Sequence, residues 1–115
     1  MTEADLAPLL KPLVSGKAYP YVVKLTAQAE PAVSPPWIVY SLIIESPTDV
    51  LGGQAETQTS LQVDVYALSI DEARTLREAA LGVLKSFDLT QIHKTQSYET
   101  DTKLFRATFE ALNID

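Results

Sequence analysis

At 115 residues, 46% of them hydrophobic, the chain has the size and apolar content of one small globular domain, read as 1–115, with little apolar surface left to wall a deep substrate pocket. Nine basic residues, scattered singly, stand against fifteen acidic ones for a net charge of −6, which opposes tight nucleic-acid binding. The absence of cysteine excludes disulfides and thiolate zinc sites, and the acidic start Met1–Asp5 with no long apolar run after it argues against a signal peptide or membrane helix, so a soluble protein is expected.

The chain opens with Thr2 as a helix cap, Asp5 on the first turn, and a stripe of Leu6, Leu9, Leu10 and Leu13, which predicts a short helix over about residues 3–14, bent or ended by Pro12. Ser15-Gly16 breaks it. Tyr19-Pro20-Tyr21 opens an extended segment, where Val22, Val23 and Leu25 suggest a short strand. Pro31, Pro35 and Pro36 then mark a stiff loop over residues 27–36.

Residues 37–45 are aromatic, β-branched and apolar almost throughout, as in a strand covered on both faces. From Ser60 to Leu68 the pattern alternates, with Leu61, Val63, Val65 and Ala67 facing one way and Gln62, Asp64 and Tyr66 the other. These two strands form a hairpin with a long connection over residues 46–59.

Ser69-Ile70-Asp71-Glu72 has the form of a capping box. The helix it opens places Ala73, Leu76, Ala80, Val83, Leu84 and Phe87 on one face, with Glu72, Arg74, Arg77, Glu78 and Lys85 mainly on the other. Strand-like runs over about 90–98 and 102–112 follow, the second alternating Phe105, Ala107, Phe109 and Ala111 against Arg106, Thr108 and Glu110. The order predicts an α+β fold: an antiparallel sheet of four to five strands with two helices mainly on one face.

Catalysis needs a nucleophile with a base, paired acids or a metal. His93 is the only histidine, and no Ser or Asp stands at a spacing that suggests a triad. With Glu99 and Asp101 it could be drawn as a metal site, but those acids fall in a turn where solvated charge is the default. Gly52-Gly53 lacks the Lys-Ser/Thr and the helix start of a phosphate loop. The expectation is no catalytic residue, no cofactor and no metal.

Two features point to assembly instead. The 46–59 connection exceeds the usual hairpin length and carries apolar Val50 and Leu51 among polar neighbours; Tyr98 ends the penultimate strand. Val50, Leu51 and Tyr98 are therefore expected at a subunit or tube interface. An open sheet also leaves edges that must be covered, charged or used.

Several segments, in order, carry a resemblance: Ala18-Tyr19-Pro20; Pro36-Trp37-Ile38-Val39-Tyr40; Leu61 to Ala67 running into Ser69-Ile70-Asp71-Glu72-Ala73; and Tyr98-Glu99-Thr100-Asp101-Thr102-Lys103-Leu104-Phe105-Arg106. From about residue 5 to 112 the chain resembles the tail-completion and tail-terminator proteins of tailed phages and prophages. The resemblance implies a homo-oligomeric ring, commonly of six subunits, that caps the tail tube, ends its polymerisation and gives the head a docking surface. Implied partners are further copies of the chain, the tail tube protein and a head-completion or neck protein, with DNA passing through the lumen and no membrane. The implied location is the tail–neck region of the virion, and the host cytoplasm during assembly.

Six copies at −6 each would give a ring of −36, and if part of that charge lines the lumen, like charges would let DNA pass without sticking. A head-closure or connector neck protein is the alternative. A small bacterial ligand-binding or enzymatic domain, for which His93 is the obvious candidate residue, is a further one.

Overall fold

A computed structural model describes the backbone of residues 1–48 and 56–114, and the side chains of these except 44–48, 56, 57 and 114. Helix α1 spans Glu3–Leu10, followed by a 3-10 turn at Lys11–Val14. Thr2 and Asp5 form both halves of a capping box: the Thr2 N–H donates to Asp5 Oδ2 at 2.8 Å, and the Asp5 N–H donates to Thr2 Oγ1 at 3.3 Å. Pro8 lies inside α1, where its missing N–H forgoes a helical bond, and Pro12 sits at the start of the tighter turn. Leu6, Leu10 and Val14 are buried. Ser15 and Gly16 end the segment at φ 52° and 86°, a pair of left-handed positions that the glycine adopts without strain.

Strand β1, Ala18–Pro20, comes earlier and shorter than the apolar pattern predicts. It pairs parallel with β2, Trp37–Thr48, in the register Ala18↔Ile38 to Pro20↔Tyr40. Val22 and Leu25 are exposed outside any strand. Parallel neighbours need a long crossover, and residues 21–36 supply it: Val23 and Val33 pack against Trp37, Val39 and Leu104. The predicted stiff loop is thus a cover for one face of the sheet.

β2 pairs antiparallel with β3, Glu56–Ala67, from Trp37↔Tyr66 to Thr48↔Glu56. Both strands run further than the sequence suggests, so residues 46–48 and 56–59 belong to β2 and β3 rather than to the expected connection over 46–59. Trp37, Ile38, Val39 and Tyr40 are all buried, as expected of a strand covered on both faces.

Helix α2, Ile70–Val83, starts at Ser69, whose Oγ accepts the Glu72 N–H at 3.1 Å. Ser69→Ala is expected to lower stability by about 1 kcal/mol, read by urea denaturation, because it orphans that donor. Ala73, Ala80 and Leu84 are buried, and Leu76, Val83 and Phe87 pack partly against the core. Arg77 departs from the predicted outer face. It follows Ala73 by one turn and is 6% exposed, with Nη1 donating to Thr95 O at 2.8 Å and to Gln96 Oε1 at 3.2 Å.

A 3-10 turn, Lys85–Phe87, leads to β4, Thr90–Glu99, which forms a hairpin with β5, Leu104–Ile114. The sheet order is β1-β2-β3-β5-β4, antiparallel at every junction except β1–β2. This is the α+β fold the sequence predicts, with one parallel pair added. Leu61, Val63, Val65, Phe109 and Ala111 meet Leu6, Leu10, Ala80 and Leu84 in the main core between sheet and helices.

Candidate functional site

The alternation that turns Leu61, Val63 and Val65 toward the helices turns Gln62, Asp64 and Tyr66 to the opposite face. There β5 places Arg106 level with Tyr66 and Thr108 level with Asp64. Asp64, 5% exposed, accepts at Oδ1 from Arg106 Nε at 3.0 Å, Arg106 Nη2 at 2.8 Å and Thr108 Oγ1 at 2.6 Å. Gln62 Nε2 donates to its Oδ2 at 3.0 Å. Arg106 Nη1 also lies 3.5 Å from Glu99 Oε1, so Glu99 is an ion-pair partner and not the solvated turn charge the sequence suggests. Asp101 is exposed.

Trp37 stacks on Tyr66 at 5.4 Å between centroids, and the Arg106 guanidinium lies 5.9 Å from the Tyr66 ring. Burial acts to lower the Arg106 pKa, but the hydrogen bonds and charge of Asp64 outweigh it and hold the guanidinium above its ordinary value. Burial pushes the Tyr66 phenol up to about 12, with the Glu99 and Asp64 charges adding to it and Arg106 opposing. A phenol whose folded pKa lies above its unfolded value of about 10 contributes stability that is full below pH 10 and lost as pH rises toward 12. Denaturation midpoints of Tyr66→Phe should therefore fall less steeply than wild type between pH 10 and 12.

A cleft of about 350 Å³ opens over this network, with Val23, Pro31, Trp37, Tyr66 and Arg106 among its walls. Each carboxylate in it is matched by a cation or hydroxyl, so the arrangement ties β3 to β5 and offers no activated nucleophile. His93 lies elsewhere, exposed on β4 and level with Glu110. Among the described residues no group of three His, Cys, Asp or Glu side chains could hold a metal ion.

Tyr98 is 51% exposed on β4, its ring edge-on to Phe105 at 5.0 Å. Val50 and Leu51 lie outside the described residues. Sequence reasoning passed over β4 as a surface. Every residue from Thr90 to Tyr98 is exposed, and between β4 and the C-terminal half of α2 lies a groove of about 920 Å³, walled by Leu81, Leu84, Leu89 and Ile92 with Lys85 and Lys94. The signal available was the polar content of 90–98, which fits a strand lying outside the core.

Two helices on one face of a five-stranded, largely antiparallel sheet, with a charge-matched network on the other, define a small α+β protein with an exposed edge strand, β4, and a groove beside it. The model of the tail completion protein gp17 family matches residues 5–112, and the chain belongs to that family. Among solved structures it is similar to a chain of the virion of a native gene transfer agent particle, with a TM-score of 0.52 and 15% identity over 92% of this chain and 84% of that one, a likeness of fold. No curated protein matches it in sequence.

Proposed function

We propose that this chain is a structural tail-completion protein of a tailed phage or phage-like particle, acting as a tail terminator. Identical copies, commonly six, form a closed ring on the end of the tail tube, stop its polymerisation and present the surface to which the head docks. The match of the tail completion family across residues 5–112 carries the reading. The similarity of fold to a gene transfer agent virion chain is consistent with it. Its partners are further copies of itself, the tube protein and a neck protein, with DNA passing through the lumen; its place is the tail–neck region. The reading assigns no catalytic residue.

The deciding experiment is negative-stain microscopy of tails assembled with and without the protein. Overlong tubes in its absence, returned to uniform length by adding it, support termination. Tubes of normal length that fail to join heads move the assignment to a head-closure or connector protein, and no effect on either step overturns the tail reading. Val50, Leu51 and Tyr98 are proposed interface positions. Substituting each with aspartate and measuring tail length tests them.

A further inference from the structure

Among the described residues β4 pairs only with β5, so its outer edge is open along ten residues. Long open edges in monomers are blunted by proline, charge or a covering element. β4 has no proline, and its Lys94 is already paired with Glu78. Arg77, by donating to Thr95 O, holds the strand against α2.

A second open edge lies across the sheet. β1 covers β2 only from Ile38 to Tyr40, and the Tyr21 hydroxyl reaches Leu42 O at 3.5 Å. Beyond that, from Ile43 to Thr48, β2 has no strand on its outer side among the described residues, and Pro47 is the one residue of that stretch without an N–H to donate. The two edges are level. One row across the sheet runs Ile44, Ser60, Leu112, Thr90, and another runs Ser41, Gln62, Glu110, His93. Between these rows, at opposite edges and each where the ladder register shifts, stand Ile43 and Ile92, 50% and 44% exposed, the latter on the wall of the groove beside α2.

Strand direction decides how the edges can meet. β2 and β5 run one way, β3 and β4 the other. Rotation about an axis along the strands preserves direction, so β4 of one copy meets β2 of the next antiparallel, the more stable pairing. The edges differ, so the contact is head-to-tail and repeats from copy to copy, as a ring of identical subunits requires.

Building on the ring reading above, we propose that β4 of each copy pairs antiparallel with the outer edge of β2 in the next, burying Ile92 against Ile43. The occupant of the groove beside Ile92 is thus a second copy of this chain.

The chain has no cysteine, so engineered pairs report cleanly. The double variant Ile43→Cys, Ile92→Cys is oxidised both as concentrated protein and on assembled tails, then run on a non-reducing gel. A ladder of cross-linked multimers from the double variant, with no cross-link from either single variant, supports the pairing. Dimers from Ile92→Cys alone, which require a symmetric β4–β4 contact, overturn it. Absence of the ladder on tails of normal length also overturns it while leaving tail termination standing. A ladder from protein that does not control tail length keeps the pairing and removes that function. In parallel, Ile92→Lys, with an unchanged circular dichroism spectrum, should raise the concentration needed for assembly at least tenfold; wild-type assembly of that variant contradicts the proposal.

Discussion

Phe109→Ala is expected to lower the free energy of unfolding by about 3–5 kcal/mol, the range for deleting a buried aromatic ring from a packed core. Phe109 has no exposed surface and sits on β5 beside Val63, in the core cluster with Leu6 and Leu10 of α1, Ala80 of α2 and Leu84 at its C-terminal end. The sheet fixes one wall of the resulting cavity and the capped helices the other, so little collapse can offset the loss. Domains of this class have about 5–15 kcal/mol in total, so the variant should be partly unfolded at the low end of that range. At about 4 °C per kcal/mol for a chain of this length, the melting temperature should fall by about 12–20 °C. Phe109→Leu keeps most of the volume and should lose much less. Urea denaturation of both variants checks this, and a loss under 1 kcal/mol for the alanine would show that the ring is not part of the core.

The second large effect is an asymmetry across the Asp64–Arg106 pair. Arg106→Met should cost about 3 kcal/mol, since it leaves the Asp64 carboxylate, 6% exposed, with only the Thr108 hydroxyl and Gln62 amide. Asp64→Leu should cost less, because the Arg106 side chain is 32% exposed and keeps water and Glu99 as partners. The double variant should be closer to wild type than Arg106→Met, because removing both members removes the unpaired charge. A double-mutant cycle by urea denaturation reads all three values. Equal losses for the two single variants would show that burial of the carboxylate does not set the penalty.

These two sites differ in how legible they were. Phe109 could be placed in the core from the alternation Phe105, Ala107, Phe109, Ala111, because a strand's period of two sorts side chains by face with no knowledge of its neighbours. The same local physics made the Ser69 cap, the Leu6 and Leu10 stripe and the division of β3 readable. The family resemblance was legible too, through the order of short segments that the family model spans.

Asp64 could be assigned to a face but not to a partner. Arg106 lies 42 positions away, and the two meet only because β5 crosses over to lie beside β3. Arg77 misled for a related reason: a charged side chain reads as solvent-facing until β4 supplies the carbonyl that satisfies it. Glu99 followed the same course once Arg106 stood opposite. The parallel seat of β1 depended on how the 21–36 crossover folds across the sheet, which no local period encodes. Composition and periodicity therefore determined the two helices, the four long strands, most of their faces and the α+β class, because these rest on interactions within a few residues. Strand order, the ion-pair network and the two open edges were decided by the tertiary structure alone, because each depends on which distant segment becomes a neighbour.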